Sequence, residues 1–298
     1  SWLPRVHEGP EVTGMISVKA AHETGLTPAT WVVAGAGDNA AAAVGAGVIG
    51  NGDALLSVGT SGVIFAHCYS PLVDPTGAIQ AFAHAMHRRY HVMGVMLAAG
   101  GSLRWCRDTI AAGSDYDQLI AEASRASPGS DGAIFLPYLC GERTPHMNPF
   151  ARAGWFGLTL AHGRAQIVRS VLEGVAFGLL DSLVRIEELG IRITALRAVG
   201  NGLDNPVWRR IVCDVLNRPL SRPVVEEGPA FGAAVLASVG SGIHASVNAA
   251  VTEMVHVSEV PDEPNPSTHA IYEASYERFC DMYLALLPFM DEEQACPV

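Results

Sequence analysis

Apolar runs of strand character that lead into glycine-rich turns constrain the fold of this chain more than any other feature. Three of them cover residues 54–58, 91–97 and 195–199, and each is followed by a turn or a helix start that contains glycine. Apolar residues at helical spacing occur between and after these runs. Alternation of the two periods is typical of layered α/β proteins, so we predict a fold of that class.

The spacing of apolar residues also predicts the individual elements. Strands are predicted at residues 31–34, 54–58, 63–67, 91–97, 195–199 and 219–223, and helices at residues 103–112, 116–126, 164–189, 206–216, 230–239 and 268–288. The turn at residues 59–62 joins two of the strands and predicts a hairpin, and Gly190 is placed to end the longest helix. The last helix carries a stripe that predicts core packing, formed by Tyr272, Tyr276, Phe279, Tyr283 and Leu287.

Composition excludes several classes of partner. Hydrophobic residues make up 49% of the 298 residues and charged residues 16%, which predicts a compact protein and not a disordered one. Acidic residues outnumber basic ones by 30 to 19, and this balance argues against nucleic acid or an anionic membrane as the main partner. No apolar run is long enough to span a membrane, so we expect a soluble protein.

Cysteine and histidine positions give no clear metal site. The six cysteines are scattered without a C-x-x-C pair, which predicts reduced thiols in a cytoplasmic protein. His84, His87 and His91 lie close together in sequence, but no acidic residue lies near them, and a zinc site is the weaker interpretation. We therefore assign no metal-ligating residue.

Asp38 is the only carboxylate in a long run of glycine and alanine. Small neighbours let a substrate approach closely, and a carboxylate there can accept a proton from a hydroxyl group. A helix N-cap explains the residue equally well, and the residues alone leave both roles open. Residues 35–40 also fit the dinucleotide pattern G-x-G-x-x-A, but Asp53 precedes its strand instead of ending it, so this match is weak.

Any phosphate site in this chain must work without a Walker lysine, because Lys19 is the only lysine. The turn at residues 59–62 offers backbone N–H groups and hydroxyls that can cradle a phosphate, although a plain hairpin turn favours the same residues. Gly100 and Gly101 precede a predicted helix, whose start favours an anion. The turn at residues 200–205 could receive a flat ring such as adenine, but capping of the next helix alone also explains Asn205.

In this order, the segments at residues 33–40, 56–62 and 199–206 resemble the FGGY family of carbohydrate kinases, and the resemblance covers essentially the whole chain. The most specific segments are residues 153–158 and 166–173, which fit the second signature of the family at every constrained position. Within the family, residues 7–14, 37–41 and 135–146 look most like the members that phosphorylate xylulose.

The resemblance implies an actin-like ATPase (ribonuclease H-like) fold, which is an α/β fold with a mixed sheet flanked by helices. It implies transfer of the γ-phosphoryl group of ATP, with Mg²⁺, to the terminal hydroxyl of D-xylulose, giving D-xylulose 5-phosphate. Kinases for gluconate, ribulose, glycerol or another polyol remain alternatives, as does a nucleotide-binding fragment without turnover. A homodimer is a further expectation from the family.

The resemblance also implies roles for individual residues. Asp38 matches the catalytic base, and the nucleotide-binding positions correspond to Gly59, Thr60, Ser61, Gly100, Gly101, Arg104, Gly200, Asn201, Gly202 and Asn205. Family members usually carry glycine at position 201, and because asparagine tolerates left-handed geometry we expect the loop to keep its shape. Glu142 and Arg143 belong to a family motif, and we interpret them as an ion pair that anchors a loop.

The N-terminal half of the family begins with an Asp-Gly-Thr phosphate loop that nothing in this sequence matches. We therefore expect residues 1–48, including Asp38, to be the end of the first, sugar-binding domain. Residues 49–298 are expected to form the second, nucleotide-binding domain. The upstream domain would then be a partner of this chain, which alone should bind sugar poorly and be inactive.

Overall fold

A six-stranded mixed sheet forms the centre of the computed structural model, which describes residues 2–225 and 227–290. The strands are β1 (Val12–Met15), β2 (Trp31–Val33), β3 (Asp53–Val58), β4 (Gly62–Cys68), β5 (Gln80–Ala83), β6 (Tyr90–Met96), β7 (Ile134–Leu136), β8 (Gly154–Phe156), β9 (Ala195–Val199) and β10 (Leu220–Ser221). The central sheet has the order β10-β9-β3-β4-β6-β5, with β10, β9 and β3 parallel and the other neighbours antiparallel. Two-stranded sheets join β1 to β2 and β7 to β8.

Helices cover both faces of the central sheet, as the sequence predicts for this fold class. They are α1 (Val18–Thr24), α2 (Asp38–Gly45), α3 (Gly100–Thr109), α4 (Tyr116–Ala123), α5 (Arg164–Glu188), α6 (Pro206–Leu216), α7 (Gly228–Gly240), α8 (Val247–Met254) and α9 (Pro266–Leu286). Within the described residues, no helix is both long and apolar enough to cross a lipid bilayer.

One face of the sheet packs on α5, whose small residues allow very close contact. A Cβ on Gly174 would lie 2.2 Å from the carbonyl oxygen of Phe135, so only glycine lets the helix reach β7. Outside α5, the predicted stripe of α9 is buried at Tyr272, Phe279 and Tyr283. Leu287 follows the end of α9 and is 42% exposed, so its prediction as a core residue is wrong.

The other face of the sheet packs on α2, which α7 covers in turn. A Cβ on Gly232 of α7 would lie 1.7 Å from the carbonyl oxygen of Ala41, and a Cβ on Gly45 of α2 would lie 2.8 Å from the Gly232 nitrogen. The two helix backbones are therefore in direct contact. This contact fixes α2, and with it Asp38 at its first position, against the rest of the molecule.

Several elements lie where the spacing predicts none. Residues 1–30 contain β1 and α1, and β5, β7, β8 and α8 are also unpredicted. These strands have three or four residues, which is too short for an alternating pattern to stand out. Helix α8 begins at a local signal, because the Ser246 hydroxyl accepts a hydrogen bond from the Ala249 N–H group.

Three histidines form a buried cluster between β4, β6 and the loop that follows β5. The ring centroid of His84 lies 5.4 Å from that of His67 and 6.0 Å from that of His91. His87 lies outside the cluster and contacts Glu8, with 2.8 Å between Nδ1 and the carboxylate. No group of three or more His, Cys, Asp or Glu residues in the described part of the chain is arranged to hold a metal. Burial lowers the pKa of His84 to about 3 and that of His91 to about 4.

Replacing His91 with phenylalanine should make the protein less sensitive to acid. Between the ordinary pKa of 6.5 and the folded-state value of about 4, the unfolded chain binds a proton at His91 and the folded chain does not. Folding stability is therefore lost as pH falls, by about 1.4 kcal/mol per pH unit for this residue. The ring stacks on Phe65 with centroids 4.1 Å apart, so a phenyl ring should fit.

Urea unfolding at several pH values between 7 and 4.5 measures this effect. The stability of His91→Phe relative to the unsubstituted protein should rise by about 1.4 kcal/mol for each pH unit below about 6. An equal dependence on pH in the two proteins would contradict the burial of a neutral His91.

Candidate active site

Two adjoining cavities lie at the edge of the central sheet where the three glycine-rich turns meet. The turns follow β3, β6 and β9, whose ends lie together at this edge. The larger cavity has a volume of about 720 Å³ and the smaller one about 370 Å³. Gly200 and Asn201 line both cavities. Each volume lies in the range of small-molecule sites.

The structure brings most of the residues predicted to bind nucleotide to one place. Eight of the ten line the larger cavity, namely Gly59, Thr60, Gly100, Arg104, Gly200, Asn201, Gly202 and Asn205. Ser61 and Gly101 are not among the lining residues, and Asp38 lines the smaller cavity. Eight of the predicted residues, from distant parts of the sequence, therefore line one cavity, and Asp38 lines the cavity beside it.

The hairpin turn between β3 and β4 is an exposed loop whose free donors belong to Thr60 and to the backbone N–H group of Ser61. Within the turn, the Gly59 N–H group donates to the Ser61 carbonyl at 3.0 Å. The Ser61 hydroxyl donates to the carbonyl of Leu97 at 3.1 Å. The N–H group and hydroxyl of Thr60 donate to no acceptor in the described residues. The segment is thus a hairpin turn that also leaves donors available for an anion.

The glycines at the start of α3 hold this turn in place. The N–H groups of Gly100 and Gly101 donate to the carbonyls of Gly59 and Thr60, at 2.8 and 3.0 Å. A Cβ on Gly100 would lie 2.4 Å from the Gly59 carbonyl oxygen, so the close approach requires glycine. These N–H groups are used inside the protein, and the binding of an anion at this helix start stays a prediction.

The turn after β9 takes its shape from Gly200. This residue has φ of +89°, and its Cβ would lie 2.7 Å from the carbonyl oxygen of Val58, so both geometry and contact favour glycine. Asn201 is not left-handed and begins a short 3-10 turn. The tolerance of asparagine for left-handed geometry is therefore not needed, and the exposed Asn201 side chain lines both cavities.

Asn205 caps α6 and also lines the larger cavity. Its Oδ1 accepts a hydrogen bond from the Val207 N–H group at 3.0 Å and caps α6, as predicted. Its Nδ2 donates to Oδ1 of Asp117 on α4 at 3.1 Å. The side chain therefore joins two walls of the larger cavity while it caps the helix.

The remaining walls of the larger cavity come from residues that the sequence does not single out. Leu103, Ile120 and Trp208 give it apolar surface, and Tyr116 and Asp117 complete the wall formed by α4. Their only signal in the sequence is membership of an amphipathic helix, which does not distinguish a cavity wall from the core.

Arg104 supplies a positive charge to this cavity. Its side chain is exposed and forms no hydrogen bond or ion pair with any described residue. An unpaired guanidinium beside a cavity is suited to anionic groups. We therefore expect it to contribute to binding without first breaking an internal contact.

Asp38 is the first residue of α2 and not its N-cap. Gly37 occupies the cap position, while Oδ1 of Asp38 accepts hydrogen bonds from the Asn39 N–H group at 2.8 Å and from Asn39 Nδ2 at 3.2 Å. The side chain is exposed and faces the smaller cavity beside Ala42 and Gly45. Helix geometry thus orients a carboxylate toward an open space with small neighbours.

The dinucleotide-binding alternative is wrong for this fold. Its pattern requires a strand, a helix and a second parallel strand in one sheet. Here β2 pairs only with β1 among the described strands, while β3 belongs to the central sheet. The glycines at residues 35–37 therefore lie between two separate sheets.

Glu142 does not form the predicted ion pair with Arg143. Its Oε1 accepts hydrogen bonds from two backbone N–H groups, of Leu97 at 3.0 Å and of Arg143 at 2.7 Å. Among the described residues no ion pair links the two side chains. Burial raises the pKa of Glu142 to about 8. The side chain anchors a loop, but it does so through backbone groups.

Comparisons with known protein families, sequences and structures show which proteins this chain resembles. Residues 54–241 match the C-terminal domain of the FGGY family of carbohydrate kinases. A xylulose kinase of Lactococcus lactis is 38% identical over 283 residues, which cover 94% of this chain and 56% of that protein. A gluconokinase of Bacillus subtilis is 34% identical over 257 residues, covering 82% of this chain and 50% of that protein.

A solved structure shows the same arrangement of elements. The crystal structure of ligand-bound xylulose kinase from Lactobacillus acidophilus matches with a TM-score of 0.90 at 26% identity, over 95% of this chain and 57% of that chain. The chain thus spans about half the length of the proteins it resembles.

Proposed function

The chain belongs to the FGGY family of carbohydrate kinases, and we propose that the protein transfers the γ-phosphoryl group of ATP to a hydroxyl group of a sugar. Its fold is the actin-like ATPase fold of that family. One observation carries the proposal. The three glycine-rich turns surround a single cavity, and Asp38 faces the cavity beside it.

The larger cavity has the chemistry that a nucleotide requires. Its apolar surface at Leu103, Ile120 and Trp208 suits a base ring, whereas Thr60 and Arg104 offer donors and positive charge for phosphates. Bound ATP would supply the activated phosphoryl group, and Mg²⁺ would neutralise part of its charge.

The described residues offer little to hold a magnesium ion without nucleotide. The carboxylates that line the smaller cavity belong to Asp38 and Glu227, and no group of three acidic, histidine or cysteine ligands occurs in the described residues. Mg²⁺ commonly binds through one or two carboxylates together with substrate phosphates. We therefore propose that Mg²⁺ enters with ATP.

Asp38 is the proposed catalytic base. Ala42, Gly45 and Ala46 line the same cavity and present little bulk, so a sugar hydroxyl could come within hydrogen-bond distance of the carboxylate. The carboxylate would orient that hydroxyl and accept its proton as the phosphoryl group moves in line. Positioning of the two substrates would supply most of the rate enhancement.

Residues 1–48 are proposed to complete a sugar-binding domain whose other part lies outside this chain. Strands β1 and β2 form a sheet of only two strands, and Met15, Trp31 and Val32 are 63%, 49% and 44% exposed. Isolated two-stranded sheets have marginal stability, so we propose that further strands of the same protein pair with them. This chain alone would then bind sugar poorly.

D-Xylulose is the proposed substrate, and phosphorylation of a panel of sugars by the full-length protein tests it. Support comes from the similarity of residues 7–14, 37–41 and 135–146 to xylulose-phosphorylating members, and from the Lactococcus lactis relative. ADP release should give a kcat/KM for D-xylulose about 10²-fold above those for D-ribulose, gluconate and glycerol. The Bacillus subtilis relative makes gluconate the second candidate. A preference for gluconate would replace the assignment, and no turnover with any sugar would contradict kinase activity.

A further inference from the structure

The last residues of β6 extend beyond the end of β5, and the segment around Glu142 bonds to them there. Strand β5 does not extend along β6 as far as Val95, so the outward N–H groups beyond it need other acceptors. Oγ1 of Thr144 accepts from the Val95 N–H group at 2.9 Å, and Oε1 of Glu142 accepts from the Leu97 N–H group at 3.0 Å. Two side chains thus continue the hydrogen bonding of β6 up to the loop that forms the cavity.

Leu97 connects this edge to the hairpin turn of the candidate site. Its N–H group bonds to Glu142, while its carbonyl accepts the hydroxyl of Ser61 at 3.1 Å. Two residues further on, the Ala99 N–H group donates to the carbonyl of Thr60 at 2.9 Å. Two hydrogen bonds, both made by Leu97, therefore link Glu142 to Ser61, the neighbour of Thr60 in the turn.

The environment of Glu142 suits an acceptor that stays neutral. The residue is 3% exposed, and its Oε2 has no hydrogen-bond partner in the described part of the chain. Burial raises the pKa of the carboxyl group to about 8, so it is largely protonated at pH 7. A neutral carboxyl can hold the Leu97 N–H group without placing a negative charge behind a site for phosphates.

We propose that Glu142 is a positioning residue for phosphoryl transfer, which fixes the donors of Thr60 through Leu97 and Ser61. The inference rests on the proposed kinase function and adds to it a residue that lines neither cavity. Glu142 would act on nucleotide binding only through the turn that it holds.

Substitution of Glu142 in the full-length protein tests the inference. Glu142→Ala removes the acceptor of Leu97 and should weaken ATP binding, measured by calorimetry, or lower kcat by about 10- to 100-fold. Glu142→Gln retains an Oε1 acceptor at the same position and should stay within about threefold of the unsubstituted protein. Near-normal ATP binding and kcat in Glu142→Gln, together with a loss in Glu142→Ala, would show that residue 142 must accept the N–H bond and need not carry a charge.

Thr144→Val provides the matched control. It removes the acceptor of Val95 from the same segment and leaves the bonds of Leu97 in place. We expect it to lower stability but to leave ATP affinity within about threefold. If Thr144→Val weakened ATP binding as much as Glu142→Ala, or if Glu142→Ala bound ATP and turned over normally, Glu142 would be a structural residue only.

Ser61→Ala tests the second link and does not depend on the folding of the Glu142 variants. Loss of the Ser61 hydroxyl should raise the Kd for ATP about 3- to 10-fold, because the turn then loses its bond to the Leu97 carbonyl. Combined with Glu142→Ala, the loss should be smaller than the product of the two single effects. An unchanged Kd in Ser61→Ala overturns the proposed path. Failure of the unsubstituted protein to bind ATP would instead overturn the proposed function.

Discussion

Asp38→Asn in the full-length protein is expected to lower kcat for sugar phosphorylation by about 10³-fold while the Kd for ATP changes little. Asparagine has the same shape and keeps an Oδ1 acceptor for the Asn39 N–H group, which Asp38 bonds at 2.8 Å. It cannot accept a proton from the attacking hydroxyl. The position of α2 should not change, because the contact of Gly45 with Gly232 holds it.

Kinetic and binding measurements on two variants separate this chemical loss from a structural one. Asp53→Asn is the matched control, because Oδ2 of Asp53 accepts the Gly50 N–H group at 2.9 Å in a turn that lines neither cavity. That variant should retain kcat within about threefold. If Asp38→Asn kept kcat within about tenfold, Asp38 would not be the base, and the hydroxyl proton would leave by another route.

The elements that the sequence predicts best are those with strong local signals. Strand β9 lies at residues 195–199 as predicted, and α6 begins at Pro206 after the Asn205 cap and ends at Leu216. A cap, a proline at the first helical position and a hydrophobic face all specify α6 locally. Strand β7 has only three residues, which is too few for a strand pattern to stand out, so local spacing could not predict it.

The candidate site shows the same division between local and distant information. Glycine in the three turns is visible in the sequence because close backbone approach restricts the residue type, as Gly100 illustrates with its contact to Gly59. Tertiary contacts determine which backbone groups of those turns are already hydrogen-bonded within the protein. Glu142 bonds to Leu97, 45 residues away, and adjacency in sequence misleadingly suggested Arg143 as an ionic partner.

A buried ion pair in α5 provides the largest expected effect on stability. Nε of Arg169 lies 2.7 Å from Oε1 of Glu173, and the two side chains are only 9% and 2% exposed. The other groups that bond to the pair are the Ala126 carbonyl, the Tyr272 hydroxyl, the Gly129 N–H group and the Ser130 hydroxyl. Burial raises the pKa of Glu173 in spite of the neighbouring guanidinium. The charged carboxylate therefore needs all of these hydrogen-bond partners to offset the cost of its burial. The pair joins α5 to α9 and to the loop before β7.

Arg169→Met should therefore lower the free energy of unfolding by about 3–5 kcal/mol, because it leaves a buried carboxylate without its cation. Arg185→Met on the same helix is the control. Arg185 pairs with Glu188 at 3.0 Å, but both side chains are about half exposed, and the expected cost is only about 0–1 kcal/mol. Both values can be measured by urea unfolding at pH 7.

The double variant Arg169→Met with Glu173→Leu distinguishes the loss of a partner from the loss of packing. Removing both charges should restore part of the stability lost in Arg169→Met, since no unpaired charge then remains buried. The Ser130 hydroxyl and Gly129 N–H group would still lose their acceptor, so recovery should be incomplete. Additive losses in the double variant would mean that packing of the long side chains, and not compensation of their charges, holds α5 against α9.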